Sequence, residues 1–354
     1  MSDPTSAAAR RIEQIRRSVD SAWVVVEERP VVIVVAASAV TAGTAVALGT
    51  IAGWPHVLRL VESRRSWLWL IACLVEELIA YGGYVLTLRD MARVDRGPEL
   101  ELETTVKAVV GGFGVFAATR STGGFAVDYW AFRRAGASRR EAAHRVLGLG
   151  FLEYVVLSLA ALAASLALAF RLDGHASLSV TLPGLTVIPA LAAAWWATSP
   201  KRVQRLSRPR RSRFTGMLAN GVAGAHYVRQ LLTNPREHGL GVVGNAIYWA
   251  GDVGCLAAAL ALCGASISWP RLILAYSGGY VLTRRALPAG GAGFVEAALT
   301  LALVGMGIHL TRALVAVVIY RLFNFWLPMI PALYLMPAIS DLRRRFRAAE
   351  PARP

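Results

Sequence analysis

Apolar runs long enough to cross a bilayer, separated by short arginine-rich breaks, set the rhythm of this chain. A helical crossing of a hydrocarbon core about 30 Å thick takes roughly 20 residues. Windows of that kind begin near Val31, Trp67, Val146, Pro183, Leu240 and Thr311. Two further apolar regions, Val106 to Trp130 and Leu272 to Leu303, are broken by glycine, and each has room for two half-crossings. They read as re-entrant helical hairpins, because irregular backbone at membrane depth is tolerated only where protein or a cavity covers it. Phe214 to Gly239 mixes His226, Arg229, Arg236 and His238 with apolar residues, the pattern of an interfacial amphipathic helix.

The predicted fold is an all-α polytopic membrane protein with about six spanning helices plus two re-entrant hairpins. No linker divides it, so residues 31–340 form one membrane domain, with a first half at about 67–200 and a second at about 215–340. Residues 1–30 are an N-terminal tail and residues 341–354 a basic one. Arginine-rich short loops stay in the cytoplasm. That rule places Arg10 to Arg17, Arg133 to Arg145, Lys201 to Arg213 and Arg343 to Arg347 inside, and the loops around Asp173 to Ser179 and Ala265 to Ser268 outside. Both termini are then cytoplasmic, in a multi-pass protein of the inner membrane. Arg59, Arg64 and Arg65 conflict with this topology, which puts their loop outside.

Composition strengthens the membrane reading, since 55% of residues are hydrophobic and the mean hydropathy is +0.48. The net charge of +16 comes from arginines spread over short loops rather than from one basic module. That distribution argues for an anionic membrane surface as partner and against nucleic acid. Cys73, Cys255 and Cys263 lie within apolar segments and read as small core residues. The six histidines show no metal spacing, and neither a nucleotide-binding loop nor a nucleophile elbow occurs. The expectation is a protein that is not an enzyme and uses no cofactor or metal; a homo-oligomer is left open.

Charges inside apolar sequence mark the candidate chemistry, because an isolated charge at the bilayer centre costs at least about 2.5–3.5 kcal/mol. Glu296 closes the run Leu287-Pro288-Ala289-Gly290-Gly291-Ala292-Gly293-Phe294-Val295-Glu296, and Arg321 follows 25 positions later (321 − 296). Two readings stand: an ion pair that docks the second hairpin on the last span, or an arginine that meets an anionic head group while Glu296 tunes or gates it. A shift of 168 positions (296 − 128) lays Gly111 on Gly279, Gly123 on Gly291, Asp128 on Glu296 and Glu153 on Arg321. The matches are few, yet they fall on the special residues. With the topology above, the two halves become inverted repeats, an architecture of membrane transporters.

Asp128 and Glu153 cannot neutralise each other, so either Arg120, Arg133 or Arg145 is the partner or one acid is protonated at neutral pH. Within Leu74 to Leu88, Glu76 and Glu77 are adjacent on a helix, so at most one faces the interior squarely. Glu77 and the lone acid Asp252 each read either as a polar lining residue or as half of a salt bridge. Gly123, Gly124, Pro288, Gly290, Gly291 and Gly293 would form the hairpin tips. Arg284 and Arg285 just before the second tip either snorkel to the surface or line an anion path.

These blocks resemble the flippase-like membrane domain of lysylphosphatidylglycerol synthases, the multiple peptide resistance factor family. That family carries a Pro-Gly-Gly-x-Gly-x-x-Glu element followed by a Tyr-Arg segment ending in aromatic-Trp-x-Pro. Here the matching stretches are Leu287 to Glu296 and Tyr320-Arg321 through Phe325-Trp326-Leu327-Pro328. Gly123 to Asp128, Gly136 to Ala142 and Glu153 are similar to the family's first-half elements, so the resemblance spans roughly Trp67 to Leu342. It departs at Ala289, where the family usually has proline, at Tyr154, where an arginine commonly follows the acid, and in a first hairpin without proline. No acyltransferase-like domain follows Pro337, which predicts a stand-alone form rather than the synthase.

The resemblance implies movement of an aminoacylated or other anionic phospholipid, or another lipid-linked amphiphile, between leaflets. Arg321, Glu296, Asp128, Glu153, Arg285 and Glu77 would then line the substrate path. Two rivals are an integral membrane enzyme on a polyprenyl-linked sugar and a non-transporting partner subunit of a cytosolic lipid-modifying enzyme.

Overall fold

The computed structural model describes residues 66–118, 122–170, 184–199, 213–281 and 293–331, with isolated positions between 39 and 55. Every regular element among them is helical. In chain order they are α1 (Ser66–Arg93), α2 (Leu102–Ala118), α3 (Thr122–Arg134), α4 (Arg139–Ala169), α5 (Val187–Ala197), α6 (Arg213–Thr233), α7 (Pro235–Leu262), α8 (Trp269–Tyr276), α9 (Phe294–Gly305) and α10 (Leu310–Arg321). A 3₁₀ turn, Val94–Arg96, follows α1, and π-helical turns follow α8 (Ser277–Val281) and α10 (Leu322–Trp326).

Four helical stretches among the described residues are long and apolar enough to cross a membrane: Trp67–Arg96, Arg139–Ala169, Pro235–Leu262 and Leu310–Pro331. They correspond to four of the six expected spans. The span expected from Val31 lies almost wholly outside the described residues. The one expected from Pro183 is represented by the short apolar α5, with residues 171–183 and 200–212 outside the description. The region Val106 to Trp130 is two helices, α2 and α3, packed on each other, with residues 119–121 outside the description. In the second such region, α8 and its π turn pack on α9, and residues 282–292 lie outside. The amphipathic segment is α6, and α7 begins at Pro235 rather than at Leu240, bending at His238.

Sequence explains where these helices start. Ser138 accepts from the Glu141 N–H while Glu141 accepts from the Ser138 N–H, a reciprocal cap that opens α4 just after Gly136 turns the chain with φ 104°. Pro235 occupies the first turn of α7, where its missing N–H costs nothing.

The centre of the molecule is the crossing of α1 and α7. Gly83 meets Gly244, Thr87 Oγ1 donates to the Gly241 carbonyl at 3.2 Å, and Cys73 Sγ reaches the Cys255 carbonyl at 3.5 Å. Rising numbers on one helix meet falling numbers on the other, so the pair is antiparallel. A Cβ on Gly244 would stand 2.6 Å from the Gly83 carbonyl oxygen, so only glycine permits this approach. In lipid, where the hydrophobic effect does not drive helices together, such close backbone contact is a main source of packing energy. The second crossing, α4 on α6, uses Gly148 and Gly224 in the same way. Against this frame sit α8 on α4, and α10 on both α7 and α9.

Candidate functional site

Glu296 lies three residues after Gly293, whose φ of 83° turns the chain into α9. One carboxylate oxygen accepts from the Gly293 N–H at 2.6 Å, and the other accepts from Arg321 Nε at 2.8 Å. Both side chains are buried, each residue being 1% exposed. The Arg321 guanidinium also lies over the Phe325 ring, 4.1 Å from its centroid. Arg321 ends α10 where the backbone widens into a π turn, and Asn324 and Phe325 on that turn are buried as well. Single π turns of this kind are frequent at functional sites.

Tyr320, the neighbour of Arg321, points to a different acid. Its hydroxyl donates to Asp252 Oδ1 at 2.7 Å, as does Asn324 Nδ2 at 2.7 Å, and the Tyr276 hydroxyl donates to Oδ2. Asp252 is fully buried on α7. Tyr276 closes α8 just before the other π turn, so both π turns adjoin residues that hold this carboxylate. Sequence reasoning flagged Asp252 only as a lone acid and missed its three donors.

In the first half, Asp128 is buried in the middle of α3 and accepts from the Tyr84 hydroxyl at 3.0 Å. Glu153 is buried on α4, and its backbone carbonyl accepts from Trp249 Nε1 at 3.0 Å. Of the arginines weighed as partners for these acids, Arg133 donates to the Ala137 carbonyl. Arg145 donates to the carbonyls of Ala92 and Val94, capping the end of α1, and Arg120 lies outside the described residues. Glu77 is the inward member of its pair at 3% exposed, while Glu76 is partly buried against Gly254.

A row of aromatic rings joins the halves. Tyr84 packs on Tyr248 at 5.5 Å, Tyr248 on Trp249 at 4.8 Å, Trp249 on Tyr276 at 5.9 Å, and Tyr276 on Tyr320 at 6.4 Å. The row therefore runs from the partner of Asp128 to the partners of Asp252. Tyrosine suits it because the ring packs like a hydrocarbon while the hydroxyl serves an acid.

Some expected site residues fall outside the described ones: Arg285, Pro288, Gly290 and Gly291. Gly123 and Gly124 sit in the first turn of α3. No cluster of three or more histidine, cysteine or acidic side chains fit to hold a metal occurs among the described residues.

The family model for the lysylphosphatidylglycerol synthase TM region matches residues 31–332. The chain belongs to that family. The family region takes in Asp128, Glu153, Asp252, Glu296 and Arg321 together, and it starts at the first predicted span rather than at Trp67. Membership and the long apolar helices make this a multi-pass membrane protein of a family tied to lipid modification or translocation. No curated protein matches the chain.

Proposed function

We propose that this protein moves an anionic or aminoacylated phospholipid, or a similar lipid-linked amphiphile, between the leaflets of the inner membrane. The observation that carries the reading is the Glu296–Arg321 pair, each residue 1% exposed and placed where α10 widens into a π turn. A buried ion pair is weak evidence for stability, because well-packed apolar residues in its place are often as stable or more so. Its retention in an apolar helix favours a role in binding or switching. Arginine's planar donors match phosphate oxygens as well as they match a carboxylate. A lipid phosphate would take the place of Glu296 on Arg321, and Glu296 would keep its hold on Gly293 meanwhile.

Asp128 and Glu153 would shape the opposite wall, with the tyrosine row between. Leaflet exchange without chemistry agrees with a site that, among the described residues, is built from Arg321, several acids and hydroxyls. Lipidomics of a deletion strain, combined with outer-leaflet labelling, tests the reading in cells. One lipid class should lose outer-leaflet exposure while its total amount stays constant; unchanged asymmetry of every class contradicts the proposal.

A further inference from the structure

His238, Asn245 and Asp252 are spaced by seven residues along α7. Seven residues return to within about 20° of the same helix face, and each step rises about 10 Å. Asn245 and Asp252 therefore share one buried face, and Asp90, which meets both the His238 ring and the Gly241 N–H, places His238 at the lower end of that face across the bend. Asn245 and Asp252 are fully buried, and the His238 side chain is only 13% exposed.

Asn245 is the anomaly. Among the described residues, neither its amide nitrogen nor its amide oxygen has a hydrogen-bond partner. A carboxamide offers two donors and an acceptor oxygen with two lone pairs, and burying these unmatched is destabilising. Such a side chain is matched by a water or by a passing polar group.

The lower end of that face has the same character. His238 Nδ1 makes no hydrogen bond among the described residues and stands 3.6 Å from Asp90 Oδ1. Here α7 leaves helical geometry, with φ −128° and ψ 17° at His238, and Asp90 Oδ2 anchors the bend by accepting from the Gly241 N–H. On α6, which packs on α7, His226 Nδ1 and Gln230 Oε1 also lack hydrogen-bond partners among the described residues. At the upper end, Asp252 is held by two hydroxyls and an amide. Hydroxyls rotate and serve as donor or acceptor. The same cage thus accommodates a carboxylate or, with one hydroxyl reversed, a carboxylic acid.

We propose that Asp252 is a proton-binding site reached from the His238–Asp90 end of α7 through a file of waters that Asn245 holds at its middle. An O–H bond breaks on the water nearest Asp252 as one forms on its carboxylate; each water along the file then passes one proton upward, and the last, at the His238–Asp90 end, takes its replacement from hydronium in the aqueous phase. The charged groups on the elements packed around α7 are Arg321 on α10, paired with Glu296 on α9, Glu76 and Glu77 on α1, and Glu153 on α4; Tyr276 and Tyr320 are in contact with Asp252, and Cys255 lies one turn further along α7. Beside His238 they are Asp90 on α1, and Arg236 and Glu237 on α7 itself; on α6, which packs on α7, the titratable and charged groups are His226 and Arg229. The inference concerns protonation and does not depend on lipid movement.

Infrared difference spectroscopy of the full chain in lipid nanodiscs tests it. On acidification, the wild type should gain a protonated-carboxyl band that Asp252→Asn lacks. After a pH jump, Asn245→Leu should slow the appearance of that band about tenfold or more, because leucine cannot hold the water, while Asn245→Ser should keep the wild-type rate. The midpoint of thermal unfolding of Asn245→Leu should match or exceed that of wild type, since leucine replaces a buried amide that no protein group satisfies among the described residues and needs no ordered water. A band that persists in Asp252→Asn, an unchanged rate in Asn245→Leu, or a lowered midpoint that marks Asn245 as purely structural would overturn the proposal.

Discussion

Glu296 and Arg321 are joined so that one carboxylate does two things: Oε2 fixes the first turn of α9 through the Gly293 N–H, and Oε1 fixes the end of α10 through Arg321 Nε. Loss of either partner leaves the other charge buried, a change that costs about 3–5 kcal/mol when a buried pair is broken. Arg321→Met should therefore lower the unfolding midpoint of the purified protein strongly. The double variant Glu296→Gln with Arg321→Met should recover much of that loss, because no uncompensated charge remains and glutamine still offers Gly293 an acceptor. A double variant as unstable as Arg321→Met alone would show that the charge pair is not the reason.

Tyr276 and Tyr320 share Asp252, each through one hydroxyl. Removing one donor to a buried carboxylate costs about 1.5–3 kcal/mol. Tyr276→Phe and Tyr320→Phe should each destabilise by that order, and their effects should be non-additive because they act on one group. A double-mutant cycle on thermal or chemical unfolding reads the coupling directly.

How much of this site the sequence revealed follows from what makes a residue rare in a membrane. Glu296 and Arg321 stand out because charge in an apolar run is exceptional, and their pairing across 25 residues is what the structure contains. Asp252 was visible for the same reason, but its donors are two tyrosines and an asparagine up to 72 positions away, ordinary residues in such helices. The π turns have no sequence signature that periodicity detects. The α1–α7 crossing did carry a signal: Gly244 and Gly251 are one heptad apart, and Gly83 opposes Gly244. Small residues at helical spacing mark close approach, a weaker signal than a charge in an apolar run because glycine and alanine are common throughout these helices.

Gly83 and Gly244 give a prediction of their own. A Cβ at either position would run into the partner's backbone carbonyl, which cannot move as a flexible side chain can. Gly244→Ala should push α1 and α7 apart and cost about 1–3 kcal/mol. Gly82→Ala, beside it but with nothing near its missing Cβ, should be nearly silent in the same melting experiment.

Gly97 follows the 3₁₀ turn against Arg145, where a Cβ would collide with the Ala92 carbonyl and the guanidinium. Gly97→Ala should dislodge Arg145 from the carbonyls of Ala92 and Val94 and lower the melting midpoint. Arg145→Lys should do the same, because a single ammonium does not reproduce the fork that spans both carbonyls. Wild-type stability in Arg145→Lys would show that one carbonyl contact suffices.

Leaflet exchange of headgroup-labelled phospholipid in liposomes carrying the purified chain tests the central claim most directly. Wild-type protein should move labelled lipid well faster than protein-free vesicles. Arg321→Ala should fall to the protein-free rate, and Glu296→Gln should be slowed, each compared at temperatures where the variant is still folded. Exchange by the wild type no faster than by Arg321→Ala would contradict the account.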